Sequence, residues 1–150
     1  MTCEMQVIRY NLIMNIEEGK NCPIFFSLEI FGDKWSLLIL RDILHFDKQH
    51  YNEYLESEEG ISTNILADRL KKLEKEGIIS KKRDPANKKQ FIYSPTKKCL
   101  DLVPIILEIA VWGAKYDPDT KAPPKEMARI RNNRKEYIES IRAKFKYVDA

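Results

Sequence analysis

From Pro23 onward the apolar residues recur at helical spacing, interrupted once by two short runs at strand spacing. Cys22-Pro23 opens a first helix, with proline at a first-turn position where its missing N–H costs nothing, and Phe25, Phe26, Leu28 and Ile30 follow before a stop near Gly32. Asp33 is an N-cap for a second helix carrying Trp35, Leu37, Leu38, Leu40, Ile43 and Leu44. With only Arg41 and Asp42 as interior charges, that helix is expected to be the buried hub. A shorter helix with Tyr51, Tyr54 and Leu55 ends in the turn Glu58-Glu59-Gly60. Ser62 caps the next helix, Ile61 is its hydrophobic staple, Leu66, Leu70 and Leu73 form its inner face, and Gly77 stands where a helix C-terminus wants glycine.

Ile78 to Ser80 and Gln90 to Ser94 read as the two strands of a β-hairpin, with Asp84-Pro85-Ala86-Asn87 as its turn and lysines at its tip. Thr96 caps a long helix with Leu100, Val103, Ile106, Leu107, Ala110 and Val111 as its stripe, running to Trp112-Gly113; Pro104 either bends it or marks a boundary within it. Three prolines between Asp117 and Pro124 read as a linker, and Lys125 to Tyr147 as one amphipathic helix with Met127, Ile130, Ile138, Ile141 and Phe145 on its apolar side. The expected organisation is an N-terminal arm or short helix over 1–21, a domain over 22–116, and a linker with a C-terminal helix over 117–150. The fold class is mainly α with a small β-hairpin wing.

Composition narrows the function. A chain of 150 residues, 43% hydrophobic, can build one ordinary core. The apolar run Leu12 to Ile16 is too short for a signal peptide, and no stretch approaches the roughly 20 apolar residues of a membrane span, so a soluble, cytoplasmic protein with no membrane partner is expected. Cys3, Cys22 and Cys99 are odd in number and irregularly spaced, which indicates neither a disulfide framework nor a zinc site. His45 and His50 are five apart, on different faces of any helix; no metal and no cofactor is expected. The net charge of +3 conceals a strong asymmetry: residues 62–89 hold nine Lys/Arg against four acids, and residues 1–61 hold five against eleven. One basic face suits phosphate, although on charge alone a merely solvated helix accounts for it as well.

Two helices joined by a tight turn and followed at once by a basic hairpin is the order of a winged helix-turn-helix. A major groove about 12 Å wide admits one helix, N-terminal end first. Ser62, Thr63 and Asn64 are suitable groove-facing side chains, and Ala67 and Asp68 continue the same outward face. Lys71, Lys72 and Lys75 on the helix, with Lys88 and Lys89 on the hairpin, are placed for phosphates. No Gly-rich phosphate loop or acid–base constellation is present, so no catalytic residue is assigned and an enzyme is not expected. The rival reading is a winged-helix protein–protein module without DNA binding.

These residues also carry a resemblance. Cys22-Pro23, Gly32-Asp33-Lys34-Trp35-Ser36-Leu37-Leu38-Ile39-Leu40-Arg41-Asp42, Tyr51-Asn52-Glu53, Gly60-Ile61-Ser62-Thr63-Asn64-Ile65-Leu66-Ala67-Asp68-Arg69-Leu70 and Trp112-Gly113, in this order, resemble the HxlR family of bacterial winged-helix regulators over residues 22 to about 116. The resemblance implies a homodimer joined through its N- and C-terminal helices and bound to a pseudo-palindromic double-stranded operator, with repression favoured over activation. Where that family shows Tyr-x-Leu-Thr-x-x-Gly after the wing, this chain has Tyr93-Ser94-Pro95-Thr96-Lys97-Lys98-Cys99, so the turn into the long helix is built differently, and the extension after Asp117 is long. Cys22 matches a position where some members sense oxidants or electrophiles; it is either such a redox sensor or a half-buried cysteine beside the dimer seam, and a small-molecule effector also stays open. Trp35 and Trp112 are assigned to packing, and Lys34 and Arg41 to pairing with Asp33 and Asp42. The extension is read as an extra dimer-stabilising helix, with a second DNA contact through Arg129, Arg131, Arg134 and Lys135 as the alternative.

Overall fold

The computed structural model describes residues 22–145, so the arm expected over 1–21, including Cys3, and the last residues of the extension lie outside the described residues. Helix α1 (Pro23–Phe31) starts at its proline and stops at Gly32, whose N–H donates to the Leu28 carbonyl at 2.8 Å. A Cβ at position 32 would lie 2.5 Å from that same oxygen, so the close approach requires glycine. Helix α2 (Lys34–His45) is capped by Asp33, which accepts from the Ser36 N–H at 3.0 Å and the Ser36 hydroxyl at 2.6 Å. Its Ile39, Leu40, Ile43 and Leu44 are buried, the hub the hydrophobic pattern indicated.

Helix α3 (Tyr51–Leu55) and helix α4 (Thr63–Lys75) form the helix-turn-helix. Ser62 caps α4 by accepting from the Ile65 N–H at 3.3 Å, and Leu66, Leu70 and Leu73 are buried against α2. At the far end the Ile78 N–H donates to the Leu73 carbonyl at 2.9 Å and the Gly77 N–H to that of Glu74 at 3.0 Å. This is a Schellman closure, and Gly77 supplies the φ of +69° it needs.

Strands β1 (Ile79–Arg83) and β2 (Phe91–Pro95) pair antiparallel, Ile79 opposite Pro95, Lys81 opposite Tyr93 and Arg83 opposite Phe91. β1 extends three residues beyond the expected Ile78–Ser80, because the pairing continues along its lysines. The Tyr93 N–H donates to the Gln49 carbonyl at 2.8 Å, which ties the wing to the loop before α3.

The single long helix expected after the wing is two. Thr96 caps α5 (Lys97–Leu100), accepting from the Cys99 N–H at 3.4 Å while its hydroxyl lies 2.7 Å from the Gly77 carbonyl and 2.9 Å from that of Ile78. Helix α6 (Val103–Tyr116) then starts afresh with Pro104 in its first turn, so the proline marks a boundary rather than a bend, and α6 runs past Gly113. Cys99, where the resembling family has glycine, is fully buried.

The extension is also two helices, α7 (Pro124–Asn132) and α8 (Arg134–Ala143), broken at Asn133 with φ −127° and ψ 44°. Their Ile130, Tyr137 and Ile141 are buried within the chain, and both helices pack on α6. Arg134 donates to the Pro104 carbonyl at 3.3 Å, Arg142 to that of Leu100 at 3.4 Å, and Lys144 pairs with Asp47 at 2.8 Å. A charged amphipathic segment that is marginal as an isolated helix is held here by its own domain.

Candidate nucleic-acid interface

The inward leucines of α4 leave its opposite side to solvent: Ser62, Thr63, Asn64, Ala67, Asp68, Lys71 and Lys75 are exposed, and Lys72 is half-buried. The start of the helix is pinned from below, where the Tyr51 hydroxyl donates to the Thr63 carbonyl at 2.8 Å. Its rotation is fixed by Arg69, whose Nε donates to Asp33 Oδ1 at 2.9 Å and whose Nη1 also pairs with Asp68. Burial by itself would raise the Asp33 carboxyl, but the hydrogen bonds from Ser36 and Arg69 prevail and hold it at about 2. Asp33 therefore remains charged, a fixed anchor for the guanidinium that orients the outward face of α4. With its carboxylate on Arg69, Asp68 is the least suited of the expected contacts to approach a phosphate.

On the wing, Lys81, Lys82 and Arg83 of β1 and Lys88 and Lys89 of the loop are exposed. Arg83 donates to the Lys88 carbonyl at 2.8 Å and lies over the Phe91 ring at 4.3 Å, with the Lys81 ammonium 4.2 Å from the same ring. The loop is internally braced, the Ala86 N–H donating to Asp84 at 2.8 Å and the Lys89 N–H to Asn87 at 3.2 Å. The lysines are thus presented on a built platform rather than a loose tip.

Between α3 and the wing lies a notch of about 270 Å³, lined by His50, Tyr51, Asn52, Lys89, Gln90 and neighbouring aromatic rings. Lys89 therefore faces the helix-turn-helix, whereas Lys88 does not line the notch. His50 clasps the two parts: Nε2 is 2.9 Å from Asp84, the first residue of the wing loop, and Nδ1 is 3.3 Å from Glu53 of α3. The hydrogen bond to Asp84 raises the His50 pKa against a smaller opposing effect of burial, and Glu53 adds to the rise.

The remaining expectations divide. Arg41 does pair with Asp42, and with Glu59. Lys34 does not pair with Asp33, which Arg69 occupies; its ammonium sits 4.4 Å from the centre of the Trp35 ring. Trp35 is half-buried against the core, but Trp112 is 68% exposed, contrary to the packing role expected of it, because α6 turns that side away from the domain. Cys22 is a half-buried N-cap of α1 whose carbonyl accepts the Phe26 N–H at 3.0 Å, and its thiol makes no cap. Burial pushes the Cys99 thiol up to about 12, which makes it a poor nucleophile. Tyr51, Asn52, Arg69 and the basic side chains of β1 stand in the candidate interface, and sequence reasoning did not single them out. Their signal lay in the Tyr51-Asn52-Glu53 block and the run Lys81-Lys82-Arg83, but their roles depend on partners distant in the chain. Among the described residues no cluster of three or more His, Cys, Asp or Glu is placed to hold a metal ion, and no helix is long and apolar enough to cross a membrane.

The profile of the HxlR-like helix-turn-helix family matches residues 30–121. The HTH-type transcriptional regulator YvaP of Bacillus subtilis (strain 168) is 30% identical over 105 residues, 69% of this chain and 96% of that protein. A solved structure described as a MarR-family transcriptional regulator from Porphyromonas gingivalis W83 superposes with a TM-score of 0.60 at 35% identity, covering 69% of this chain and 99% of that one. The redox regulator HypR in its oxidized form superposes with a TM-score of 0.56 at 27% identity, covering 63% of this chain and 96% of that one. These relatives are described as transcriptional regulators, and the chain has the winged-helix fold of this group. The chain belongs to the HxlR-like helix-turn-helix family and is a transcriptional regulator of that type.

Proposed function

We propose that the chain is a homodimeric, sequence-specific repressor that binds a pseudo-palindromic double-stranded operator in the cytoplasm through the domain spanning 22–116. The observation that carries this is the exposed Ser62-Thr63-Asn64 end of α4, held by Tyr51 and Arg69 and flanked by cations of α4 and the wing. Hydroxyl and amide side chains at that end suit base edges, Asn64 pairing best with adenine, while Lys71, Lys75, Lys82 and Lys89 suit phosphates. Dimerisation is supported by large apolar side chains left in water on two helices: Phe25, Phe26 and Leu28 of α1, and Ile109, Trp112 and Tyr116 of α6, are all exposed. A two-fold dimer presents two α4 helices, and two half-sites follow. Cys22 begins the helix that carries half of this surface, so an oxidant acting there would reach the dimer; the likeness to a redox regulator supports that reading.

The test is a gel shift against the upstream region of its own gene over a salt series. Affinity should fall steeply, by a slope of about −0.9 per neutralised phosphate, and Lys89→Ala should reduce that slope by about one. Asn64→Ala should instead relax preference at one base pair at a cost of about 1–3 kcal/mol. A flat salt dependence, or no binding, would favour a winged-helix module that contacts another protein.

A further inference from the structure

Outside the DNA-facing side, the C-terminal half of α6, the linker and α7 enclose an open cavity of about 560 Å³. That volume falls within the roughly 300–1,000 Å³ of small-molecule sites. Val111 and Ala114 of α6 and Met127 of α7 supply a hydrocarbon floor, while Lys115 and Arg131 are the charged side chains of the lining. Among the described residues no carboxylate lines it. Thr120 adds a hydroxyl at the edge, which accepts from the Ala122 N–H at 3.2 Å and keeps its own proton to donate.

Of the arginines in the extension, Arg129 stacks on Tyr137 at 5.3 Å, Arg134 pairs with Glu108 and Arg142 pairs with Glu139. Arg131 has no acidic partner within 4 Å among the described residues, and neither has Lys115, whose ammonium lies 5.1 Å from the Tyr116 ring. An apolar floor with two uncompensated cations at its rim complements one kind of small molecule. Val111 and Ala114 lie on a different side of α6 from Ile109, Trp112 and Tyr116, so the floor of the cavity is not part of that apolar face. The cavity is also walled by α7, which begins beyond the residues that the family profile matches.

We propose that this cavity binds a small organic carboxylate with an apolar body, the carboxylate held by Arg131 and Lys115 and the body on Val111, Ala114 and Met127. The site stands on its own lining and does not depend on α4 reading DNA. The experiment is isothermal titration calorimetry on the full chain without DNA, with octanoate and 4-phenylbutyrate as chain-bearing and ring-bearing probes and their uncharged amides as controls. At least one acid should bind saturably, on the order of tenfold more tightly than its amide. Arg131→Gln or Lys115→Gln should bring the acid towards the amide, Ala114→Trp should abolish both by filling the cavity, and Arg129→Gln should change neither. Arg131 and Lys115 are exposed, so their variants fold. No saturable binding by either acid, equal affinity for acid and amide, or binding unchanged in Arg131→Gln and Lys115→Gln would each overturn the proposal.

Discussion

Asp42→Ala is expected to destabilise the domain by about 2–4 kcal/mol, a figure that follows from the surroundings of one carboxylate. The Asp42 side chain is 3% exposed; its Oδ1 accepts from Arg41 Nε at 2.9 Å and Nη2 at 2.7 Å, and its Oδ2 from Lys48 Nζ at 2.9 Å and the Ser57 hydroxyl at 2.6 Å. Removing one partner of a buried ion pair typically costs about 3–5 kcal/mol, because the other charge is left without compensation. Here the cations retain 28% and 21% exposure and Arg41 keeps Glu59, so both partly rehydrate and the cost falls at the lower end. Asp42→Asn preserves the shape and one acceptor and should cost about 1–2 kcal/mol. The assay is urea unfolding at fixed protein concentration, since association contributes to apparent stability. With a slope of roughly 1–3 kcal/mol per molar, the Asp42→Ala midpoint should drop by about 1–2 M. A drop below about 0.5 M would refute the reasoning, because it would mean that this network does not fix α2 to the segments on either side of α3 that carry Lys48 and Ser57.

Three further outcomes are expected. Phe26→Asp and Trp112→Asp should each raise the dimer dissociation constant at least about tenfold in sedimentation velocity, and if both variants sediment as wild type the seam lies elsewhere. The His50 clasp is pH-dependent: with its pKa raised above 6.5, its contribution is complete below that value and lost as pH rises through the folded value. Asp84 and Glu53, lowered from 3.8 and 4.5, contribute above those values and lose it as pH falls. The Tm difference between wild type and His50→Ala should therefore be largest near about pH 5.5 and shrink by about pH 8.5; a difference independent of pH would remove the clasp. Cys22→Ser should lose oxidant-sensitive release from the operator while Cys99→Ser keeps it, and full release from the Cys22→Ser protein would end the sensor reading.

What was legible in the sequence was what neighbours in the chain decide. The limits of α4 follow from Ser62, the leucine spacing and Gly77, all local signals, and each has its expected role in the structure. The choice between a bend and a start at Pro104 is not local: Thr96 opens a separate short helix that ends before Pro104, and its hydroxyl reaches back to Gly77 and Ile78. Asp33 illustrates the same limit, since its cap on Ser36 is three residues away and visible, whereas its hold on Arg69 spans thirty-six and is not. Trp112 departs from its expected packing role because an apolar residue on a helix stripe declares only that something should cover it, not whether the cover belongs to the same molecule.

That distinction bears on the extension. Read as a pattern, its apolar positions invite a second protomer, yet Ile130, Tyr137 and Ile141 are buried within their own chain, and Arg134 and Arg142 are fastened to carbonyls on either side of the start of α6. Side chains already buried in this way have little left to offer a partner. The surface still in water is on α1 and α6, where Phe26 is 63% exposed and Trp112 68%. The extension packs against α6 without covering that surface, so α7 and α8 brace α6 from within the chain, and in the dimer proposed above the subunit contact would fall to α1 and the uncovered side of α6.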